Sequence, residues 1–321
     1  MPRAPWRRRG PPRRADRPVR WTLVRPEQEA SARAFLAARE RYCVSAASRF
    51  LERDAAVDRA WLATGKDGAP RAFAFLTKAG FLFPVIARRF REGTAADAGS
   101  GNAGSGSAEF TAAVGEALGR ILAFRTVRAV QGLAEDVAIA ERLLVGRKQG
   151  PAPDAVDYDL MELGGPPSAG SLAGGPAGLL VRRAFPSDAD GLFPLQRDYE
   201  LEEVVPRGGS FNPAACRLSL DSLIARRLVL VAELGGEFVG KANVNASAFL
   251  RDQIGGVYVL PDLRGLGIGT RLSAELAALI AAQGRTASLF VKKDNAAARA
   301  AYRQVGFKRI GDYRIAYSGR S

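Results

Sequence analysis

The chain has 321 residues, 47% of them hydrophobic and 25% charged, which is typical of a globular protein and long enough for two domains. Lys and Arg number 47 against 33 Asp and Glu, so the net charge is +14. The absence of histidine excludes serine–histidine–aspartate triads, histidine general bases and histidine-based zinc sites.

The two cysteines, Cys43 and Cys216, have neither a disulfide pattern nor metal-ligand spacing. We predict that both are buried thiols in a reducing, cytoplasmic compartment, and we expect no metal site. No apolar run reaches the roughly 18 residues of a membrane helix, and no signal-peptide core follows the N-terminal arginines. A membrane partner and secretion are therefore not expected.

Residues 1–20 form a basic segment with eight arginines, one acidic residue and several prolines, and they show no apolar periodicity. This composition predicts a disordered tail. Its charge alone would allow contact with nucleic acid or an anionic surface, and a solvated tail without a partner is the alternative interpretation.

The next segment, residues 21–163, alternates between strand-like and helical patterns. Strands are predicted at 21–25, 60–64, 72–77, 81–86 and 126–130, with a closing strand at 158–163, and helices at 27–51, 109–119 and 133–145. Residues 92–107 are small and polar, which predicts a flexible insertion.

Residues 164–178 are rich in Gly, Pro, Ser and Ala and predict a linker before a second domain at 179–321. In that domain, strands are predicted at 179–184, 228–234, 237–247, 253–259 and 287–292, helices at 188–203, 213–226, 268–283 and 296–304, and a hairpin at 307–317. The pair Gly255–Gly256 inside a strand indicates a bulge or a separation from its neighbour.

The most informative motif follows the predicted strand 253–259. The apolar end of this strand is followed by Pro261, and a glycine-rich loop then leads into a helical pattern from Thr270. Such a loop is an anion site, because the first N–H groups of a helix lack partners and the helix dipole favours negative charge. The P-loop sequence is absent, and Lys292 and Lys293 occupy the place where a dinucleotide site needs an acid.

The spacing Arg264-x-x-Gly267-x-Gly269 resembles the acyl-CoA pyrophosphate loop of GNAT acetyltransferases. Downstream, the run from Asn295 to Gly306 resembles the fourth helix of that family, with Asn295 as its N-cap and Gly306 as its C-terminal residue. The resemblance covers residues 179–321 and implies an α/β (α+β) fold, with a mixed, mostly antiparallel sheet, a splayed strand and helices on both faces.

Residues 21–163 resemble a degenerate first copy of the same fold, so the resemblance implies a tandem arrangement. The R-x-x-G-x-G loop is missing there, and residues 92–107 stand about where it would belong. We therefore assign no acyl-CoA binding to this half and interpret it as a packing or substrate-shaping domain.

The resemblance further implies acetyl-CoA as cosubstrate. Its pyrophosphate would lie on the backbone amides of residues 265–270, its pantetheine arm would contact the splayed strand, and Tyr302 would protonate the departing thiolate. The implied cofactor-binding residues are Val257, Val259, Arg264, Gly265, Leu266, Gly267, Ile268, Gly269, Thr270 and Asn295.

The sequence leaves the identity of the general base open. Many family members carry a Glu on the strand before the loop, where this chain has Asp252, which the strand alternation could turn away from the cleft. Glu202 and Glu203 lie at the end of the first predicted helix of the domain, where family members often bind substrate, and either could attract a cationic amine. The alternative interpretation of each of these three carboxylates is a solvated surface charge. A chain of water molecules leading to backbone carbonyls could also act as the base.

The predicted function is transfer of an acetyl group to a primary amine by direct attack on the thioester. The acceptor would be an amine on a small molecule or a peptide. The fold does not determine which one, and the sequence leaves the oligomeric state open. The alternative hypothesis is a non-catalytic acyl-CoA-binding or regulatory module whose basic tail contacts nucleic acid.

Overall fold

The structure is a computed structural model that describes residues 19–86, 105–145, 154–205 and 209–317, with only the backbone described at 105–113 and 144–145. Nearly all of the predicted tail, and residues 92–104 of the predicted insertion, lie outside these ranges. The last three residues of the insertion begin a helix.

The first half of the described chain follows the predicted alternation. Its strands are β1 (Val19–Leu23), β2 (Arg59–Gly65), β3 (Pro70–Leu76), β4 (Phe81–Ile86), β5 (Ala129–Leu133) and β6 (Asp154–Glu162). Its helices are α1 (Glu29–Ala37), α2 (Glu40–Leu51), α3 (Ser105–Leu122) and α4 (Ala134–Val145). The single helix predicted at 27–51 is wrong, because the chain breaks helical conformation at Arg39, which has φ −122°.

The second half begins with a short helix and then alternates strands and helices. Its strands are β7 (Leu180–Arg183), β8 (Val229–Leu234), β9 (Glu237–Ser247), β10 (Arg251–Val259), β11 (Thr286–Lys292) and β12 (Lys308–Tyr317). Its helices are α5 (Ala169–Leu172), α6 (Ala189–Tyr199), α7 (Pro213–Arg226), α8 (Ile268–Ala282) and α9 (Ala296–Val305), and a π-helical turn, Glu200–Val204, extends α6.

Within the described ranges all strands join one 12-stranded sheet, in the order β1-β2-β3-β4-β5-β12-β6-β11-β10-β9-β8-β7. Only β4 with β5 and β10 with β11 pair in parallel. The mixed, mostly antiparallel sheet is thus confirmed. The predicted hairpin at 307–317 is wrong, since β12 is one strand that is paired on both sides, with a register irregularity between Arg309 and Gly311.

The two halves exchange strands at the centre of this sheet. β6 precedes the predicted linker in the chain, yet it lies between β11 and β12 of the second half. β12 in turn lies between β5 and β6 of the first half. The sheet is therefore continuous across the predicted domain boundary.

The predicted linker, residues 164–178, is packed against the second half. It contains α5, and the Ser168 hydroxyl donates to the Gln304 carbonyl at 2.8 Å while Ser171 is fully buried against the same carbonyl. The Arg271 guanidinium donates to the Gly174 carbonyl at 3.4 Å. The segment thus lies along α8 and α9.

Helices cover both faces of the sheet, as the alternation of buried residues requires. In β8, Val229 and Val231 pack against α6 and α7, whereas Leu230 and Ala232 pack against α8 on the opposite face. In the first half, α1 and α2 cover one face, and α3 and α4 cover the other.

β10 separates from β11 halfway along its length. Residue pairing joins Arg251–Ile254 to Thr286–Leu289 and does not continue beyond Ile254. On the other side, the register with β9 shifts between Gly255 and Tyr258, so a bulge lies where the glycine pair predicts it. A gap therefore opens at the carboxyl ends of two parallel strands.

Candidate active site

The glycine loop lies at the mouth of this gap. Gly265 and Gly267 both have φ +82°, a left-handed conformation that favours glycine, and Gly267 is the N-cap of α8. The first turn of α8 contains no acidic residue. The first N–H groups of α8 and its dipole thus face the loop with no acidic side chain in the first turn, which is the backbone geometry that the predicted anion site requires.

Arg264 is anchored to the π-helical turn. Its guanidinium makes a bidentate ion pair with Glu202, with nitrogen–oxygen distances of 2.9 and 2.7 Å, and its Nε donates to the Val259 carbonyl at 3.1 Å. The Glu202 carboxylate raises the pKa of Arg264. The side chain thus links the loop to residues 200–204, and Glu202 compensates its charge.

α9 begins and ends at the predicted residues. The Asn295 side chain accepts a hydrogen bond from the Ala298 N–H at 3.0 Å, which makes it the N-cap, and Gly306 ends the helix with φ +116°. The predicted capping is confirmed.

Tyr302 lies on α9 and packs at the edge of the hydrophobic core on the α8 side of the sheet. Its ring packs edge-on against Phe307, with centroids 6.1 Å apart. Burial raises the pKa of the Tyr302 phenol, and the nearby Tyr199 and Glu203 raise it further. The fold thus brings together side chains from α9, from α6 and from the π-helical turn, and it keeps the Tyr302 hydroxyl protonated at neutral pH.

The three candidate carboxylates all have cationic partners. Glu203 forms an ion pair with Lys292 at 2.8 Å, close to Tyr302, and Glu202 pairs with Arg264. Asp252 is 4% exposed and makes two 2.8 Å bonds to the Arg285 guanidinium, at the end of β10 where the strand is still paired with β11. This geometry gives Asp252 a structural ion pair.

The sequence analysis missed Lys241, which is fully buried on β9. Its ammonium donates to the Gly256 carbonyl at 2.9 Å and to Asn243 Oδ1 at 3.0 Å, and it lies 5.0 Å from the centre of the Tyr199 ring. Burial lowers the pKa of Lys241 to about 7, which the charge of Glu200 partly opposes. The available signal was a polar residue at every second position from Lys241 to Ser247 of β9.

Tyr199 completes this cluster from the end of α6. Burial raises the pKa of its phenol to about 12, and the nearby backbone N–H of Gly256 partly opposes this increase. The carbonyl of Gly256 is thus bonded to Lys241, and its N–H lies near the Tyr199 phenol.

The predicted buried thiols are confirmed, since Cys43 and Cys216 are buried and unbridged, and burial raises the pKa of each. In the part of the chain that the structure describes, no three Cys, Asp or Glu side chains are grouped so that they could hold a metal ion. Among the described helices, none combines the length and apolar character needed to cross a bilayer.

Residues 195–307, which contain the gap, the loop and α9, match the model of the acetyltransferase (GNAT) family. No curated protein sequence matches the chain.

Solved structures share the fold over nearly the whole chain. A GCN5-related N-acetyltransferase from Sphaerobacter thermophilus is 20% identical with a TM-score of 0.56, over 95% of this chain and 98% of that one. A Drosophila protein is 12% identical with a TM-score of 0.60, over 94% and 99%. A tandem GNAT protein from the clavulanic acid biosynthesis pathway is 14% identical with a TM-score of 0.53, over 94% and 99%.

Proposed function

We propose that this chain is an acetyl-CoA-dependent N-acetyltransferase of the GNAT superfamily with a tandem arrangement, since residues 195–307 match the family model and a tandem GNAT protein shares the fold. The observation that carries the proposal is the gap between β10 and β11, which opens directly onto the glycine loop at the start of α8. An extended thioester could lie in this gap with its anionic end on the loop.

The residues of the loop suit a diphosphate. Left-handed glycines, a helix N-terminus and the absence of an acid in the first turn of α8 all favour an anion. In the proposal the backbone amides of residues 265–270 hold the diphosphate, and Val257, Val259 and Asn295 contact the pantetheine arm. Arg264 acts mainly by fixing the loop, because Glu202 already engages its guanidinium.

Catalysis in this proposal is the attack of an acceptor amine on the thioester carbon, which forms a C–N bond and breaks the C–S bond. Tyr302 gives its phenolic proton to the leaving sulfur, since a phenol is protonated at neutral pH. Glu203 is our candidate for the group that takes the amine proton, since it lies near Tyr302 and Tyr199. Asp252 is nearly fully buried, is held by two bonds to Arg285 and lies where β10 is still paired with β11, which argues against Asp252 in this role.

The proposed acceptor is a primary amine on a small molecule or a peptide, and a cationic amine would be attracted by Glu203. The N-terminal arginines would add contact with nucleic acid only in the alternative hypothesis of a non-catalytic module. Deletion of residues 1–20 tests this hypothesis, because salt-sensitive binding of DNA or RNA that survives the deletion would contradict it.

The first experiment is thermal unfolding with and without acetyl-CoA, for the wild type, Gly267→Glu and Gly235→Glu. Gly235 also has a left-handed φ, of +61°, but it lies in the β8–β9 turn, so its variant matches the backbone strain and the added charge. Ligand at about 100 times its Kd adds about 2.7 kcal/mol of stability. We expect this gain in the wild type and in Gly235→Glu, and its loss in Gly267→Glu.

A folded wild type without any shift would contradict the proposed site. A shift in the wild type justifies a panel of amine acceptors, with release of the free thiol as the assay. Binding of acetyl-CoA without acetylation of any amine would favour the non-catalytic module.

A further inference from the structure

We propose that Lys241 and Tyr199 are positioning residues that clamp the peptide groups of Gly256 from both sides and thereby hold the gap between β10 and β11 open. The consequence for acyl-CoA binding rests on the proposed function, whereas the clamp itself is a property of the free protein.

Gly256 lies where β10 has left both of its neighbours. Pairing with β11 ends at Ile254, and in the register with β9 neither Gly256 nor Val257 has a partner residue. A buried backbone group that has lost its place in the sheet needs another partner. The Lys241 ammonium donates to the Gly256 carbonyl at 2.9 Å, and the proposal gives the Gly256 N–H the nearby phenol oxygen of Tyr199, whose pKa that N–H lowers.

The clamp is built for glycine. Gly256 has φ +58°, and a Cβ atom there would overlap Asn243 Oδ1 and approach Lys241 Nζ to 2.8 Å. At Gly255 a Cβ atom would overlap the side-chain amide of Asn245. The glycine pair therefore makes room for polar side chains under the bulge, and these side chains fix the conformation that the pair permits.

A hydrogen-bonded chain supports the lysine. Lys241 donates to Asn243 at 3.0 Å, and Asn243 donates to Asn245 Oδ1 at 2.7 Å. No acidic side chain lies within ion-pair distance of Lys241 in the described structure, although Glu200 and Cys216 interact with it electrostatically. A fully buried amine without an ion pair costs stability, and here it holds a backbone carbonyl in place.

The clamp determines which backbone groups face the gap. Because the clamp holds the peptide groups of Gly256, the bulge has one fixed conformation. That conformation also sets the orientation of the next peptide group, at Val257. Val257 packs against the α8 side of the sheet, whereas Tyr258 packs against the α6 side. The pantetheine arm would therefore meet a preorganised strand, and preorganisation reduces the entropy lost on binding.

The test compares two probes on purified full-length protein by calorimetry. One probe is acetyl-CoA, and the other is 3′-phosphoadenosine 5′-diphosphate, which keeps the diphosphate and lacks the pantetheine arm. The variants are Tyr199→Phe, which removes the phenol oxygen, and Lys241→Met, which removes the ammonium group and its bonds to Gly256 and Asn243. Tyr313→Phe is the matched control, because its hydroxyl lies on the same sheet and bonds Gln131 at 3.3 Å.

We expect each clamp variant to bind acetyl-CoA about tenfold more weakly, as for the loss of one well-placed hydrogen bond, and to bind the nucleotide probe within twofold of the wild type. Tyr313→Phe should bind both probes like the wild type. In the absence of ligand, hydrogen exchange at the Gly256 amide should accelerate at least tenfold in Tyr199→Phe and stay unchanged in Tyr313→Phe.

Three results would overturn the clamp. They are unchanged acetyl-CoA affinity in both variants, an equal loss for both probes, and unchanged exchange at Gly256 in folded Tyr199→Phe. A wild type that binds neither probe, but whose Gly256 amide responds to Tyr199→Phe, would instead overturn the proposed function and leave the clamp standing. If Lys241→Met does not fold, Tyr199→Phe decides alone, since it keeps the buried ring.

Discussion

Single residues around the gap have ionisation properties that can be measured directly. Lys241 has the most informative one, because its pKa of about 7 in the folded state lies well below the ordinary lysine value of 10.5. Between these two pH values the unfolded chain binds one proton more than the folded chain at Lys241. The contribution of Lys241 to the free energy of folding therefore becomes more favourable as the pH rises. Below about pH 7 the buried amine must carry its charge.

We therefore expect Lys241→Met to remove a pH dependence. Relative to the variant, the wild type should gain unfolding free energy as the pH rises from 7 to about 10, with a slope of up to about 1.4 kcal/mol per pH unit. Urea unfolding of both proteins at a series of pH values measures this difference. A difference that does not change with pH would mean that Lys241 titrates normally.

Tyr302 gives a second prediction at this scale. We expect Tyr302→Phe to lower turnover at least tenfold and to leave the Kd for acetyl-CoA within about twofold, because only the proton donor is lost. Steady-state kinetics measures the turnover and calorimetry measures the Kd for acetyl-CoA, with Tyr313→Phe as the control. Full activity of the variant would remove Tyr302 from the chemistry.

At the scale of single elements, the loop and the helix caps can be tested with a matched pair. Asn295 caps α9 and Asn212 caps α7, and each side chain accepts an N–H bond of 3.0 Å from the third helical residue. Replacement of either by Ala should cost about 1 kcal/mol of unfolding free energy. Only Asn295→Ala should also weaken acetyl-CoA binding, since only Asn295 lies at the proposed site.

The result that would contradict a ligand contact by Asn295 is equal acetyl-CoA affinity in both variants. In that case the residue acts as a helix cap alone, and the stability loss should remain the same for the two proteins.

The local elements were also the part most open to prediction from sequence. Helix caps, the glycine loop and the bulge at Gly255–Gly256 depend on short-range rules of backbone geometry, and the structure confirms each of them. The ion pair between Arg264 and Glu202 joins residues 62 positions apart, and no local pattern reveals it. Lys241 was missed for a related reason: a lysine in a strand is usually exposed, and only the folded sheet shows what covers it.

At the scale of the whole molecule, sequence reasoning found the alternation of elements and missed the exchange of β6 and β12. Periodicity indicates that a segment is a strand, but it does not say which strand it will pair with. Ion pairs reinforce the exchange: Arg251 of β10 contacts both Glu162 of β6 and Glu40 of α2, and Arg314 of β12 contacts Asp157 of β6.

The exchange predicts where the chain can be divided. A fragment of residues 179–321 lacks β6, so β12 loses its link to β11, whereas a fragment of residues 154–321 keeps the β12–β6–β11 ladder. We expect cooperative urea unfolding from the longer fragment and none from the shorter one. Equal, cooperative transitions for both fragments would show that the second half needs no strand from the first.

The exchanged strands also constrain how the protein is made. On the ribosome the first half is synthesised first, but β12, the partner of both β5 and β6, is translated after every other described strand. Until then β5 and β6 present open strand edges, which readily pair with other chains. The sheet therefore cannot be completed before β12 has been translated, and the growing chain needs protection for as long as those edges stay open.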